Sequence, residues 1–391
     1  MFSTPGLLRV FAASIIGRLP VGALGLIFIL RTRELTGSYA AGGLVAGANA
    51  VAYGIGGPLF GRVVDRRGQT GVIVLGGVLS AGGMIGFGLL EPGASVAAAA
   101  ALAAVAGAAF PPLSACLRTL WGTHLADEQR RHTAFAIEAA AFELVYIVGP
   151  LVFVGLIGAW SLRAAAAAAG VFALVGALLF AFSPVSRGWQ PDRDRPHARV
   201  GALRGAGVRV ILASLLVLGV AAAVVEIAVA AFAGSERLAA LLLALWGAGS
   251  LVGGVLAARG RAPADPARRL WVLLTGVAVL TAPLALAGSP AALGTLLVVA
   301  GLAVAPALGT AYGLLGQAAP AGSVTEAFTF VSTAFGGGIG LGSALGGWIV
   351  EEAGTQTAFI VAAGAMTLAA AIAIAGRETL RTAGGAEPPA R

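Results

Sequence analysis

The sequence has no lysine, a single cysteine and very little charge of either sign. Because Cys116 stands alone, a disulfide framework and a cysteine-based metal site are both excluded. The three histidines are scattered over polar segments, so we predict no metal site either. Charged residues make up 11% of the 391 residues, 58% are hydrophobic, and the mean hydropathy is +0.93. Soluble domains carry about 25% charged residues, so this composition excludes a soluble globular fold.

The sequence is instead a series of long apolar runs. Each run has the ~20 residues that a helix needs to cross ~30 Å of hydrocarbon. The runs are apolar all round, which argues against the alternating pattern of membrane β-strands. We predict an all-α integral membrane protein in the lipid bilayer, with twelve transmembrane helices at residues 7–30, 38–60, 70–90, 94–120, 133–158, 161–183, 208–233, 236–258, 268–288, 290–317, 323–351 and 355–376.

The arginines are distributed unevenly between the two sides of the predicted membrane. If the N-terminus is cytoplasmic, the outer loops hold only Arg31, Arg33, Arg163 and Arg237. The positive-inside rule then places both termini in the cytoplasm. The net charge of +8 follows from this topology, so we predict no nucleic-acid partner. We expect a multi-pass monomer in a bacterial inner membrane.

A polar stretch rich in proline and charge follows Ser183-Pro184 and divides the spans into six and six. Small residues recur at the same point of each half, with Gly57 and Gly61 ending span 2 and Ser250 and Gly254 ending span 8. This pattern is typical of two parallel repeats. The predicted parts are an N-terminal six-helix bundle (1–183), a cytoplasmic linker (184–207), a C-terminal six-helix bundle (208–376) and a disordered tail (377–391).

A charged segment, residues 61–68, joins spans 2 and 3. Gly61, Asp65, Arg66 and Gly68 match the pattern Gly-x-Leu-x-Asp-Arg-x-Gly, and Val63 replaces the leucine. The segment resembles the signature of the major facilitator superfamily (MFS), and the resemblance extends over essentially the whole chain. It implies two six-helix halves that move a small molecule by alternating access.

The same resemblance implies a conformational latch. In the family, the motif aspartate meets span 11 and closes the cytoplasmic side, a role that falls here to Asp65. Span 11 starts with Ser323 and Glu326 in capping-box spacing, and a carboxylate is favoured near a helix N-terminus. The predicted latch residues are Gly61, Asp65, Arg66, Gly68, Arg118 and Glu326. The alternative is a solvated loop that only marks topology.

Ionisable groups inside the spans are functional candidates, because a lone charge at the bilayer centre costs at least ~2.5–3.5 kcal/mol. The proton-coupling candidates are Arg18, Glu138, Glu143 and Glu226. Arg18 and Glu143 lie at similar depth, so we predict a pair that frees the carboxylate for a proton when it separates. The alternative is a static ion pair that specifies helix packing. Glu138 alternatively lies at the membrane interface, and Glu226 either lines a water-filled cavity or reaches the surface.

Six polar or aromatic residues at cavity depth are substrate candidates: Asn49, Tyr53, Tyr146, Trp246, Tyr312 and Gln317. Each alternatively makes an ordinary interhelical hydrogen bond or packing contact. Polar side chains are so few that a lipophilic or amphipathic substrate is favoured over a sugar. The glycine-rich span 11 resembles bacterial efflux members of the superfamily.

The sequence contains no Walker loop, nucleophile constellation or acid pair suited to hydrolysis. We therefore predict no enzymatic activity, no cofactor and coupling to an ion gradient, with protons as the coupling ion. The favoured function is proton-coupled efflux of lipophilic or amphipathic small molecules. The alternatives are a proton-coupled importer of a small metabolite, whose anionic group Arg18 would anchor, and a non-transporting scaffold or sensor.

Overall fold

The computed structural model describes residues 6–191 and 201–383, and every regular element in this part of the chain is a helix. Apolar runs form helices in a membrane because a helix satisfies its backbone hydrogen bonds internally. Several helices begin at a serine whose side chain accepts a hydrogen bond from the N–H three residues on, as at Ser38, Ser95, Ser161, Ser183, Ser235 and Ser289.

The helices are, in chain order, α1 (Leu7–Arg18), α2 (Leu24–Thr36), α3 (Tyr39–Arg67), α4 (Gln69–Leu89), α5 (Val96–Ala108), α6 (Leu113–His124), α7 (Glu128–Ala159), α8 (Leu162–Ala181), α9 (Pro184–Gly188), α10 (Ala206–Ala233), α11 (Glu236–Arg259), α12 (Pro266–Thr281), α13 (Pro290–Gly301), α14 (Val304–Ala318), α15 (Val324–Ala375) and α16 (Arg377–Ala383).

The described residues contain ten helical stretches that are long and apolar enough to cross a membrane, and the bent pair α1 and α2 provides an eleventh span. In this count α5 and α6 form one stretch, α13 and α14 form another, and α12 is extended by the 3₁₀ turn Ala282–Leu286. One of the ten, α15, has 52 residues, or about 78 Å at 1.5 Å per residue, more than twice the hydrocarbon thickness. Gly354 interrupts it with φ 80° and ψ 173°, a conformation that favours glycine. Because α15 thus supplies two spans, the described part of the chain accounts for the twelve predicted spans.

The first span is bent, which the sequence analysis did not predict. A 3₁₀ turn, Leu19–Gly22, separates α1 from α2, and the two helices differ in direction by 43°. Pro20 lies in this turn, and a proline has no N–H to continue the helical ladder. The bend directly follows Arg18, one of the predicted intramembrane charges.

The chain divides into two compact units, of which unit 1 comprises Met1–Thr123, Leu144–Gly201 and Ala321–Thr333. In unit 1, α4 and α1 pack on α8, while α3 packs on α5 and α2. Its buried core combines alanines with phenylalanines, including Phe28 and Phe87, whose ring centroids lie 4.9 Å apart in an edge-to-face arrangement.

Unit 2 comprises His124–Glu143, Ala202–Pro320 and Ala334–Arg391. Here α11 packs on α13, and α12 packs on α14. A Cβ atom at Gly249 or Gly253 of α11 would collide with the backbone oxygen of Val298 or Leu302, respectively. The glycines therefore permit the close helix approach that stabilises contacts in lipid.

The two units differ from the two halves of the sequence in two segments. The first part of α7 belongs to unit 2, and the first part of α15 belongs to unit 1. Within the predicted linker, Pro184–Gly188 forms α9 and Ala202–Arg204 forms a 3₁₀ turn, while residues 192–200 lie outside the described residues.

The predicted disordered tail instead begins with a helix, α16. It is fixed by the buried side chain of Leu380 and by an ion pair between Arg381 and Asp265, at 2.6 Å. Residues 384–391 of that predicted tail lie outside the described residues.

Candidate functional site

The Asp65 carboxylate binds the first turn of α15. Asp65 lies near the end of α3 and is 5% exposed. Its Oδ1 accepts a hydrogen bond from the N–H of Thr325 at 3.0 Å, and its Oδ2 accepts one from the N–H of Glu326 at 2.8 Å. These N–H groups have no partner inside their own helix. A side chain from α3 thus satisfies them, although the capping-box pattern assigns the Glu326 N–H to Ser323.

Glu326 forms an ion pair with Arg62, a residue that the sequence analysis did not single out. The Arg62 Nη2 and Nε atoms donate to Glu326 Oε1 at 2.5 and 3.2 Å. Arg62 precedes Asp65 by three residues, so both side chains lie on the same face of α3. That spacing was a signal that Arg62 would reach the same helix as Asp65.

Small side chains allow α3 and α15 to approach closely. A Cβ atom at Gly61 would lie 2.8 Å from Thr329 Oγ1 and 2.9 Å from Glu326 Cα. The linker also reaches this place, because a Cβ at Gly201 would lie 2.8 Å from Arg62 Nη2. Gly61 of the motif therefore lies at the contact between α3 and α15, where Asp65 makes its hydrogen bonds.

The other predicted latch residues fall into two groups. Arg118 on α6 is 3% exposed, and its guanidinium lies 5.8 Å from the Phe328 ring of α15. Next to it, the Thr119 and Thr325 hydroxyls are hydrogen-bonded at 3.0 Å. By contrast, Arg66 is exposed, and Gly68 separates α3 from α4 with φ 94°. Of the predicted set, Gly61, Asp65, Arg118 and Glu326 contact α15 or belong to it.

A second cap, also missed from the sequence, joins the start of α7 to the end of α11. Gln129 donates to the Gly260 oxygen at 2.7 Å and accepts from the Ala262 N–H at 2.6 Å. Thr133 Oγ1 donates to the Ala258 oxygen, and His132 Nε2 lies 3.1 Å from the Ala257 oxygen. Because a carbonyl oxygen only accepts, that nitrogen carries the proton. These side chains satisfy carbonyls that lack partners at the end of α11.

Glu143 lies within a membrane span and receives a hydrogen bond from a neighbouring helix. Ser250 Oγ of α11 donates to Glu143 Oε1 of α7 at 3.0 Å. Glu226 of α10 is close enough for the two carboxyl groups to interact electrostatically. The Glu226 side chain is exposed, whereas that of Glu143 is half-buried. Unit 2 thus brings two of the predicted proton-coupling residues together.

The other two proton-coupling candidates are buried. Arg18 is 7% exposed at the end of α1, and Glu138 of α7 is fully buried. Arg18 belongs to unit 1, and Glu143 belongs to unit 2. The pair Arg18–Glu143 stays a prediction.

The substrate candidates differ in how much of each side chain is accessible. Asn49 is buried and donates from Nδ2 to the Ala103 oxygen of α5 at 2.8 Å, the kind of interhelical bond noted as its alternative role. Tyr312 is also buried, while Tyr53 and Trp246 are half-buried. Two candidates remain exposed: Tyr146, at 40%, and Gln317, which lies one residue before α14 ends.

Metal ligands do not cluster in the part of the chain that the structure describes. No group of three or more His, Cys, Asp or Glu residues there is arranged to hold an ion.

Three solved structures share the fold over nearly the whole chain. The human organic anion transporter MFSD10 (TETRAN) has a TM-score of 0.71 at 17% identity, covering 95% of this chain and 100% of its own. A bacterial homologue of the iron transporter ferroportin, in an outward-facing state, has a TM-score of 0.75 at 14% identity, covering 94% of this chain and 98% of its own. The proton:xylose symporter XylE, bound to 6-bromo-6-deoxy-D-glucose, has 0.71 at 17%, covering 94% of each. At these identities the likeness shows the fold alone.

The sequence itself matches a family model. No curated protein matches the chain, but the Major Facilitator Superfamily model matches residues 10–292. This match confirms the resemblance deduced from residues 61–68 and the prediction of a transporter over an enzyme. The solved structures, which share the fold, confirm the predicted all-helical architecture. The chain belongs to the Major Facilitator Superfamily of membrane transporters.

Proposed function

We propose that the chain is a proton-coupled secondary transporter that exports lipophilic or amphipathic small molecules by alternating access. The observation that carries the proposal is Glu143, a carboxyl group inside a span, hydrogen-bonded by Ser250 of another helix. A carboxylate is costly in a membrane interior, whereas a protonated carboxyl is neutral. Protonation thus changes the charge of this site and supplies the coupling.

The Asp65 contact is proposed as the element that holds one state of the cycle. Its carboxylate lies at the positive end of the α15 dipole, an interaction worth ~0.3–1 kcal/mol and up to ~2 when partly buried. Arg62 and Glu326 add an ion pair at the same place. All of these bonds must break when the start of α15 leaves α3. We propose that this contact is the latch and that it lies on the cytoplasmic side.

The substrate class follows from the scarcity of polar groups. Asn49 is engaged in an interhelical bond, and Tyr312 is buried, so few polar atoms are left for a hydrogen-bonded substrate. A sugar would require many such partners. Import of a small anion remains the second candidate, because Arg18 is buried at the bend of the first span.

Proteoliposomes containing the purified chain test coupling and substrate class together. A pH-sensitive dye inside the vesicles reports proton flux while lipophilic cations, neutral amphipaths and small organic anions are added one by one. We expect proton movement with a lipophilic compound and none with empty liposomes. A response confined to small anions would favour the importer, and substrate movement without proton flux would contradict coupling.

A further inference from the structure

An apolar groove runs between α11 and α13 in unit 2. Its volume is about 290 Å³. Leu238, Leu241 and Leu245 line it from α11, and Pro290, Gly294 and Val298 line it from α13. The groove extends about 10 Å along the helices from their first turns, since seven residues separate Leu238 from Leu245. It therefore extends over about two-thirds of one half of the ~30 Å bilayer core.

The chemistry of the groove suits a hydrocarbon chain. Its lining contains one polar side chain, Thr295, whose hydroxyl is already bonded to the Ala291 oxygen at 3.0 Å. Leu241 is 57% exposed, so the groove is open along its side. An occupant would bury apolar surface without leaving a polar group of the protein unsatisfied.

A positive charge stands where the groove meets the helix ends. Arg237 precedes Leu241 by four residues, which puts it one turn away on the same face of α11. Its side chain is exposed and makes no hydrogen bond or ion pair within the described residues. Both helices also start here, at Glu236 and Pro290, with their positive dipole ends. An apolar groove that ends near an exposed arginine complements a molecule with an alkyl chain and an anionic group.

We propose that this groove binds a phospholipid of the surrounding bilayer, with one acyl chain between α11 and α13 and the phosphate at Arg237. The lipid would form part of the surface of unit 2. The proposed site includes neither Glu143 nor Asp65, and it does not depend on what the protein transports.

The test uses the full chain in proteoliposomes containing a trace of phosphatidylglycerol with a photoreactive diazirine on one acyl chain. After illumination, digestion and mass spectrometry locate the adducts. We expect them to concentrate in residues 238–245 and 290–298. A diazirine-labelled diacylglycerol, which lacks the phosphate, is the comparison probe.

Two variants separate the apolar and the charged parts of the site. Thr295→Phe should fill the groove and reduce adduct formation there at least fivefold, whereas Val299→Phe, exposed on α13 outside the groove lining, should leave it unchanged. Arg237→Gln should lower capture of phosphatidylglycerol about fivefold, as expected for one arginine near an anionic lipid, and leave capture of diacylglycerol unchanged.

Adducts spread evenly over the lipid-exposed helices would contradict lipid binding in the groove. Undiminished adduct formation in Thr295→Phe would contradict it as well. Equal capture of the two probes by the wild-type protein would overturn the role of the phosphate at Arg237.

Discussion

At the scale of single residues, Asp65 illustrates how one carboxylate joins two helices that are 260 positions apart in sequence. It accepts both backbone N–H groups because each oxygen faces one of them. Charged acceptors form hydrogen bonds roughly twice as strong as neutral ones. The contact therefore depends on the charge of the side chain as well as on its shape.

We expect Asp65→Asn to reduce the initial rate of transport severalfold, with little effect on expression. The amide keeps the size of the side chain but has one acceptor oxygen and no charge, so the dipole interaction of ~0.3–2 kcal/mol is lost. The measurement is uptake into proteoliposomes at equal protein content. Arg67→Gln, an exposed neighbour, is the matched control. Wild-type turnover in Asp65→Asn would contradict the latch.

The sequence identified Asp65 and Glu326 but not the bonds that each makes. The motif and the capping-box pattern are local, so both could be read from short stretches. The ion pair between Arg62 and Glu326 joins positions 264 apart, and a local pattern holds no information about such pairing. Ser250 was noticed only as a small residue of the repeat, because a serine alone does not reveal which carboxyl it will meet.

At the scale of elements, helix contacts in this protein depend on which residues are small. We predict that Gly61→Ala will lower transport severalfold, because its Cβ would lie 2.9 Å from Glu326 Cα, a backbone atom that cannot rotate away. The added methyl must push α15 from α3 and lengthen the bonds to Asp65. The rate of transport and the melting temperature are the measurements.

Gly57→Ala is the control for this substitution. Gly57 lies one turn earlier on the same face of α3, but its Cβ would stand an ordinary 3.8 Å from Thr329 Cβ. It should behave as wild type. Equal effects of the two substitutions would show that a loss of glycine in general, rather than the approach to α15, limits transport.

The short helix α16 is attached by the buried Leu380 side chain and by one half-buried ion pair. Asp265 accepts from the Arg268 N–H at 2.8 Å, which caps α12, and its other oxygen accepts from Arg381 of α16 at 2.6 Å. Burial alone would raise the pKa of Asp265, but the Arg268 N–H and the Arg381 guanidinium outweigh it and hold the pKa below its usual value. The bond therefore favours the charged carboxylate.

We expect the attachment of α16 to weaken in acid. Because the pKa of Asp265 is lower in the folded protein, its contribution is complete above the unfolded pKa, near 3.9, and is lost as pH falls through the folded value. Hydrogen exchange of residues 377–383 should accelerate below about pH 4, and in Asp265→Ala it should already be fast at pH 7. Glu378→Gln, an exposed carboxyl of α16, should not change it. Slow exchange in Asp265→Ala would contradict this attachment.

The elements themselves were largely predictable. An apolar run of sufficient length must be helical in lipid, so the twelve spans followed from composition. The predicted gap between residues 351 and 355 contains Gly354, where α15 is interrupted. The bend after Arg18 was missed because a proline inside a membrane span is compatible with either a kink or an unbroken helix. The helix α16 was missed because it is held by burial of Leu380 and by an ion pair with Asp265, which lies 116 positions away from Arg381 in sequence.

At the scale of the whole molecule, each of the two compact units contains one segment from the opposite half of the sequence. The first part of α15 is in unit 1 through its contacts with Asp65, Arg62 and Thr119. The first part of α7 is in unit 2 through Gln129 and Glu143. These segments each carry predicted functional residues. The chemistry of transport is thus proposed to lie where a segment of one half packs with the other.

Glu143 can act either as a proton switch or as one partner of a structural ion pair, and the two roles predict different behaviour of its variants. If Glu143 carries the proton, Glu143→Gln should abolish transport driven by a pH gradient while substrate binding persists, because a neutral amide cannot change its charge. Ser250→Ala should alter the pH dependence of transport and leave its maximum rate unchanged, since the substitution removes one hydrogen-bond donor to the Glu143 carboxyl group.

A static pair of Glu143 with Arg18 predicts a different result. Removal of one partner would leave an uncompensated buried charge, at a cost of ~3–5 kcal/mol, so each single variant should melt at a lower temperature. The double variant Arg18→Gln with Glu143→Gln should then recover both stability and transport. Gradient-driven transport and melting temperature, measured for the two singles and the double, distinguish the two cases. Active, pH-responsive transport in the double variant would end the proton-switch hypothesis, because no carboxyl would remain at position 143.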